Sequence, residues 1–235
     1  PSISQEDISI VLEVVFFTPW YFFREIARAP GQAGAPSRML EANRGNISLF
    51  WTFFNHVLSL LIQVRQTGKS FNSDILATGL LNIWCENTQI NLLTKDERLR
   101  RANIQRLKDI MSALPRYIDL RTKKDADNTE IITIKARENY YYTHLPQASE
   151  ALAGNVGRGL TSPIFFADEG PFQPNFQEAL PAALAAGGAA REIAEAVGAL
   201  YGTVLTTTAG KKNTKEGAFV FKLLRFSRPS RRSVM

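Results

Sequence analysis

The sequence predicts an α/β fold with a largely parallel central sheet flanked by helices. Three observations carry this expectation. Short apolar runs alternate with segments of helical spacing along the chain. The run 163–167 is continuously apolar, as a strand covered on both faces requires. Between two such runs lies a long segment, 95–114, whose apolar positions recur at helical intervals.

The chain has 235 residues, of which 45% are apolar, enough to bury a substantial core. It reads as one domain over 1–235, with 1–45 as a helical and loop extension at the N-terminus. Lysine and arginine total 28 and aspartate and glutamate 22, a net charge of +6. That surplus suits a phosphate-rich partner such as nucleic acid. A single cysteine, Cys85, rules out an internal disulfide and suits a reducing compartment. The longest apolar stretches, 11–17 and 57–64, are too short to span a bilayer. No signal-peptide pattern opens the chain, so a soluble intracellular protein is expected.

In order, residues 2–28 have roughly helical spacing, interrupted by Pro19. Residues 29–37, rich in Pro, Gly and Ala, read as a loop. The aromatic segment 47–61 leads into a buried strand over 60–64. Beyond Ser70, the positions Ile75, Leu76, Leu80, Ile83 and Trp84 mark a helix, and 90–93 a short strand. The helix 95–114 turns Leu99, Leu107, Met111 and Leu114 inward and Arg98, Arg101, Arg106 and Lys108 outward; Pro115 ends it. Residues 129–136 and 140–144 form a candidate hairpin. After the glycine-rich run 146–162 come the strand 163–167, a helix over 176–186, a Gly187-Gly188 break and a second helix over 190–200. A β-rich run, 201–207, precedes a basic tail.

Three constellations carry chemistry. The first is Gln63-Val64-Arg65-Gln66-Thr67-Gly68-Lys69-Ser70. It matches the phosphate-loop pattern G-x-x-x-x-G-K-[ST] except at Gln63, with an apolar strand before it and a helix after it. Such a loop points backbone N–H groups at phosphate oxygens, while the lysine meets the β/γ charge and the hydroxyl holds magnesium. The second is the strand Ile164-Phe165-Phe166-Ala167 ending in Asp168-Glu169. A carboxylate at the C-terminal edge of a parallel strand stands where ligands of open α/β sheets bind. Asp168 is the candidate magnesium ligand and Glu169 the candidate base for an attacking water. The third, Val204-Leu205-Thr206-Thr207-Thr208-Ala209-Gly210, ends a strand in hydroxyls; an ordinary β-rich strand explains it as well.

Together these motifs resemble the large terminase subunit of tailed bacteriophages, the motor that packages DNA into the procapsid. The family's phosphate loop reads R-Q-x-G-K-[ST], as Arg65-Gln66-Thr67-Gly68-Lys69-Ser70 does. Its second motif is an apolar strand ending in Asp-Glu, then a small residue and an aromatic nearby, matched by Asp168-Glu169-Gly170-Pro171-Phe172, with Arg158-Gly159 upstream. Its coupling motif is matched more weakly by Thr206, Thr207 and Thr208. The resemblance covers roughly 60–215. It implies a P-loop NTPase of the additional-strand catalytic-glutamate type that takes ATP and Mg2+. Gln63, Arg65, Gln66, Thr67, Gly68, Lys69 and Ser70 would bind nucleotide. Ser70 and Asp168 would hold the metal, and Glu169 would be catalytic. Arg65 is a candidate to act on the γ-phosphate from the same chain; an arginine of a neighbouring copy is the alternative, with Arg65 then anchoring the loop. Thr206, Thr207 and Thr208 would couple hydrolysis to movement. The implied partners are double-stranded DNA, the portal protein, the small terminase subunit and further copies in a homo-oligomeric ring, with no membrane. The implied location is the host cytoplasm, transiently at the procapsid portal.

The sequence departs from the family in three places. Gln63 replaces the first glycine. The adenine-contacting glutamine has no match, since Gln32 lies in a loop and Asn46 is the wrong residue type. The family's C-terminal nuclease domain has no room before Met235, so nuclease activity is not expected. A helicase or other P-loop translocase is the alternative, but it calls for a second RecA-like half. A nucleotide switch without turnover has no need of Glu169. His56, His144 and Cys85 read as structural, Asp125 and Asp127 as solvated loop charge, and Tyr140 and Tyr142 as packed strand aromatics. Lys211, Lys212 and Lys215 read as a solvated turn or a phosphate contact.

Overall fold

The computed structural model describes residues 3–29, 31, 37–64, 67–147, 149–150, 152–153 and 161–227. Helix α1 (Gln5–Phe17) starts on a reciprocal cap, with Asp7 N–H donating to Ser4 Oγ at 3.1 Å and Ser4 N–H to Asp7 Oδ2 at 3.3 Å. Pro19 opens a new turn, Pro19–Tyr21, which widens into a π-helical turn, Phe22–Ile26. Phe22, Phe23 and Ile26 are buried, and Phe23 stacks on Phe50 with centroids 3.7 Å apart. The indole N–H of Trp84 donates to Val15 O at 3.1 Å, tying α1 to the main core. Strands β1 (Arg28–Ala29) and β2 (Arg38–Met39) form a small antiparallel pair, followed by α2 (Arg44–Phe54), capped by Asn43.

The main sheet holds β3 (Ser59–Ile62), β4 (Gln89–Thr94), β5 (Ile131–Ile134), β6 (Asn139–His144), β7 (Ile164–Asp168) and β8 (Gly202–Thr207). Its spatial order is β3-β8-β7-β4-β6-β5, and every neighbouring pair is parallel except β5 with β6. The expected α/β class, with a mostly parallel sheet between helices, is thus what the chain forms. β8 lies between β3 and β7, the additional strand of the expected fold type. The expected strand 60–64 is realised as 59–62. Gln63 N–H still donates to Thr207 O at 3.1 Å, but then the chain leaves the sheet and Val64 is exposed.

Alternation along the strands feeds two cores. Ile90, Leu92, Ile164, Phe166 and Val204 face the layer of α2, α3 (Lys69–Gly79) and α4 (Glu97–Ser112). Leu93, Phe165, Ala167 and Leu205 face α5 (Phe176–Ala186) and α7 (Lys215–Phe226), with α6 (Gly188–Ala196) following α5. Helix α3 runs on as a π-helical turn, Leu80–Trp84. A side chain at Gly79 would collide with the Trp84 ring, so glycine is what lets the indole lie against the helix. Among the described residues no helix is long and apolar enough to cross a membrane.

One expectation needs correction. Arg106 does not face outward: its Nε donates to the buried Asp74 Oδ2 at 2.5 Å, linking α4 to α3. A periodic pattern assigns a charged residue to solvent because it cannot see a carboxylate on another helix. The basic tail, as far as it is described, is helical. Thr214 caps α7, and Phe219, Val220 and Leu223 pack on the second core at helical spacing. Gln32, Arg65, Gln66, Arg158 and Gly159, singled out from the sequence, lie outside the described residues.

Candidate active site

The site lies where β3, β8 and β7 end. Gly68 takes a left-handed backbone, φ 81°, where a side chain would be strained, and α3 begins at the next residue. Lys69 and Ser70 therefore stand in the first turn of α3, beside its unpaired backbone N–H groups. Gln63, the residue in the glycine position, braces the loop: its Oε1 accepts from Thr67 Oγ1 at 3.1 Å. Thr67 Oγ1 also donates to Val64 O at 2.9 Å. The Gln63 amide fits because residue 45 on α2 is glycine; any side chain there would overlap Gln63 Nε2.

Across from the loop, Asp168 ends β7 and is buried. Ser70 Oγ donates to its Oδ2 at 2.9 Å and Thr206 Oγ1 to its Oδ1 at 2.9 Å. Asn103 Nδ2 approaches Oδ2 at 3.4 Å. Gln173 Nε2 donates to the Asp168 carbonyl at 2.7 Å and to Leu93 O at 3.2 Å, pinning the ends of β7 and β4. Burial pushes the Asp168 carboxyl above its ordinary 3.8 against the hydrogen bonds from Thr206 and Ser70.

Glu169 has left-handed backbone angles, φ 62° and ψ 40°, uncommon for a residue with a side chain. The turn is held because Glu169 N–H donates to Thr206 O at 2.8 Å and Phe172 N–H to Glu169 O at 2.9 Å. Its side chain points back over the loop, where Lys69 Nζ lies 3.2 Å from Oε1. Thr208 Oγ1 donates to Oε2 at 2.9 Å, Thr208 N–H at 3.3 Å and Thr207 Oγ1 at 3.4 Å. Burial raises Glu169, but the Thr208 N–H, the Lys69 ammonium and the Thr208 hydroxyl outweigh it and hold the carboxyl below its ordinary 4.5. Backbone strain at a carboxylate held this way is a pattern of functional sites.

The structure thus gathers Lys69, Ser70, Asp168, Glu169, Thr206, Thr207 and Thr208, while Gln63, Thr67 and Gly68 shape the loop beside them. A cleft of about 1530 Å³ opens at the loop, lined by Thr67, Gly68, Lys69 and Ser70 together with Leu40, Glu41 and Asn46. Asn46 is itself engaged, donating to Glu41 O and accepting from Asn72. Sequence reasoning missed Asn103, Asp74 and Gln173. The one signal for Asn103 was an amide on the largely apolar inward face of a charged helix.

The other singled-out residues stay apart from this site. His56 stacks on Tyr201 at 4.0 Å, and His144 Nε2 meets Asn91 Oδ1 at 3.0 Å. Burial lowers His144 to about 4 and raises the Cys85 thiol to about 12. Tyr140 and Tyr142 lie half-buried side by side on β6. Asp125 is wrapped by its own loop, and Asp127 pairs with Lys108 at 2.6 Å. Lys212 lies over the Phe221 ring at 4.4 Å and Lys215 meets Glu150 at 3.2 Å.

No family model matches the chain, and no curated protein sequence matches it. Among solved structures, the HK97 bacteriophage large terminase superposes with a TM-score of 0.59 at 12% identity, over 89% of this chain and 40% of that one. The chain has the fold of a bacteriophage large terminase. The large terminase of the thermophilic bacteriophage D6E is also matched, with a TM-score of 0.47 at 15% identity, over 72% of this chain and 39% of that chain. The chain spans less than half the length of the solved terminases it matches.

Proposed function

We propose that this chain is a motor ATPase whose hydrolysis of ATP drives double-stranded DNA into a viral procapsid. The observation that carries the reading is one juxtaposition: Ser70 Oγ is 2.9 Å from Asp168 while Lys69 Nζ is 3.2 Å from Glu169. The terminase fold, shared with the HK97 protein, supports the packaging role.

A hydroxyl and a carboxylate are hard oxygen donors, and magnesium bound with a nucleotide takes few protein ligands, the phosphates and waters supplying the rest. The donor set Ser70 and Asp168 fits that ion. Among the described residues no group of three or more His, Cys, Asp or Glu side chains could hold a metal alone. Magnesium would neutralise charge on the phosphates. Lys69 and the N-terminal N–H groups of α3 bind the β- and γ-phosphates, and Gln63, Gln66, Thr67 and Gly68 complete the loop. Glu169 orients the attacking water and takes its proton. Arg65 is assigned the role of acting on the γ-phosphate from the same chain. Thr206, Thr207 and Thr208 join both carboxylates to β8, so a change at the phosphates is felt along that strand. DNA, the portal protein, the small terminase subunit and a ring of copies at the procapsid portal, in the host cytoplasm, complete the working assembly.

The test is phosphate release from ATP with and without magnesium, for the wild type and for Glu169→Gln. Magnesium-dependent turnover lost in the variant is expected. A wild type that neither binds nor hydrolyses ATP would overturn the reading.

A further inference from the structure

Helix α4 contributes an amide to the site that none of the three motifs contains. Asn103 is 2% exposed, on the inward face of α4. Its Nδ2 donates towards Asp168 Oδ2 at 3.4 Å, and its Oδ1 accepts from Arg106 Nη2 at 2.7 Å. Arg106 Nε donates to Asp74 Oδ2 at 2.5 Å. Asp74 lies one turn after Ser70 on α3, and Ser70 Oγ returns to Asp168 at 2.9 Å. The links close a ring: Ser70, Asp74, Arg106, Asn103, Asp168.

Two features give the ring a direction. A guanidinium can only donate hydrogen bonds. Arg106 therefore claims the carbonyl end of the Asn103 amide and leaves the amino end for the carboxylate. Reversed, the amide would turn a carbonyl oxygen on a carboxylate oxygen. Behind Asp168 there is also a void of about 10 Å³, lined in part by Ser73, Asp74, Asn103, Tyr141 and Thr206. That is about the room of a single water. Packing alone does not fix the carboxylate from that side, so its orientation depends on its hydrogen-bond donors.

We propose that Asn103 and Arg106 are positioning residues for Asp168, holding its carboxylate turned towards Ser70 so that the pair meets a nucleotide-bound divalent cation ready-set. This rests on the reading of Ser70 and Asp168 as the metal pair. Partners of this kind behind a metal ligand typically change metal affinity by about 10- to 100-fold when removed.

Mn2+ is the probe. Its binding to the protein–ADP complex is read from the paramagnetic resonance signal of the free ion, and ADP binding is measured separately in EDTA. Asn103→Leu is expected to weaken Mn2+ binding about tenfold or more while ADP affinity in EDTA stays within about twofold. Because removing Arg106 alone strands the buried Asp74, the second variant is Asp74→Asn with Arg106→Gln, which keeps the pair neutral. It no longer dictates the amide's orientation and is expected to lose Mn2+ affinity in the same direction. Both variants binding Mn2+ as the wild type does would overturn the proposal and leave the phosphate-loop reading standing. Equal loss of ADP affinity in EDTA would also overturn it, since the effect would then be general. A wild type that takes up no Mn2+ with ADP would overturn the metal-pair reading and this proposal together.

Discussion

The two walls of the site differ in how their side chains are held. On the loop wall, Lys69 takes as its ion partner the glutamate on the opposite side, and Ser70 donates across to Asp168. On the opposite wall, the two carboxylates are anchored by donors outside the loop, Asp168 by Thr206 and Asn103, and Glu169 by Thr207 and Thr208. One wall is thus set by its own donors, while the other borrows acceptors that nucleotide phosphates would replace. On the proposed reading, a phosphate arriving at the loop would compete with Glu169 for Lys69. Nucleotide binding and release of Glu169 from its ammonium partner would then be one event.

Removing charge from each wall in turn should separate the two roles. The largest effect is expected from Glu169→Gln, which keeps shape but not basicity. Turnover should fall by about 10²–10⁴-fold, the range for a lost general base. Nucleotide affinity should hold or tighten, because Lys69 no longer has an anionic competitor. Steady-state phosphate release together with a binding titration checks both; turnover unchanged in the variant would mean the set wall is not the catalytic one. Lys69→Ala comes next. It should weaken nucleotide binding by about tenfold to a hundredfold, the value of a hydrogen bond to a charged group. Unaltered affinity would remove the loop wall from the phosphate site.

Thr208→Val tests the anchoring of Glu169. Loss of one donor should slow turnover about three- to tenfold with little change in binding, judged by single-turnover hydrolysis. The smallest effect concerns pH. Glu169 is held below its ordinary 4.5, so it stays ionised through neutrality. The stability it contributes is present above its unfolded value and is lost only as pH falls through the lower folded value. The value of kcat/KM, which reports the free protein, should therefore be flat near neutrality and decline only in the acid range, and Lys69→Ala should move that decline upward. An acid limb centred near pH 7 that vanishes in Glu169→Gln would contradict the depressed value.

Much of the fold was legible because its signals are local. β7 is apolar at every position before its last residue, Asp168, and Gly68-Lys69-Ser70 is a short pattern that follows a strand and opens a helix. Asp168 and Glu169 were legible as residues, but the left-handed turn at Glu169 was not, since glutamate has no preference for it. It exists because β8 offers Thr206 O and Thr208 to hold it. Arg106 and Asp74 were read wrongly or not at all because their pairing joins two helices far apart in sequence. Helix α7 was hidden by its own charges. Lys215, Lys222 and Arg225 give it the look of a basic tail, while Phe219, Val220 and Leu223 fold it onto the core.

The glutamine at position 63 implies something about variation rather than about chemistry. Its amide occupies volume that a methyl at position 45 would claim, so the two sites share one allowance of space. Gly45→Ala should push the Gln63 amide off its contact with Thr67, and that displacement should vanish once position 63 is glycine. The departure from the usual loop pattern is thus a trade between two sites that lie on different elements of the fold.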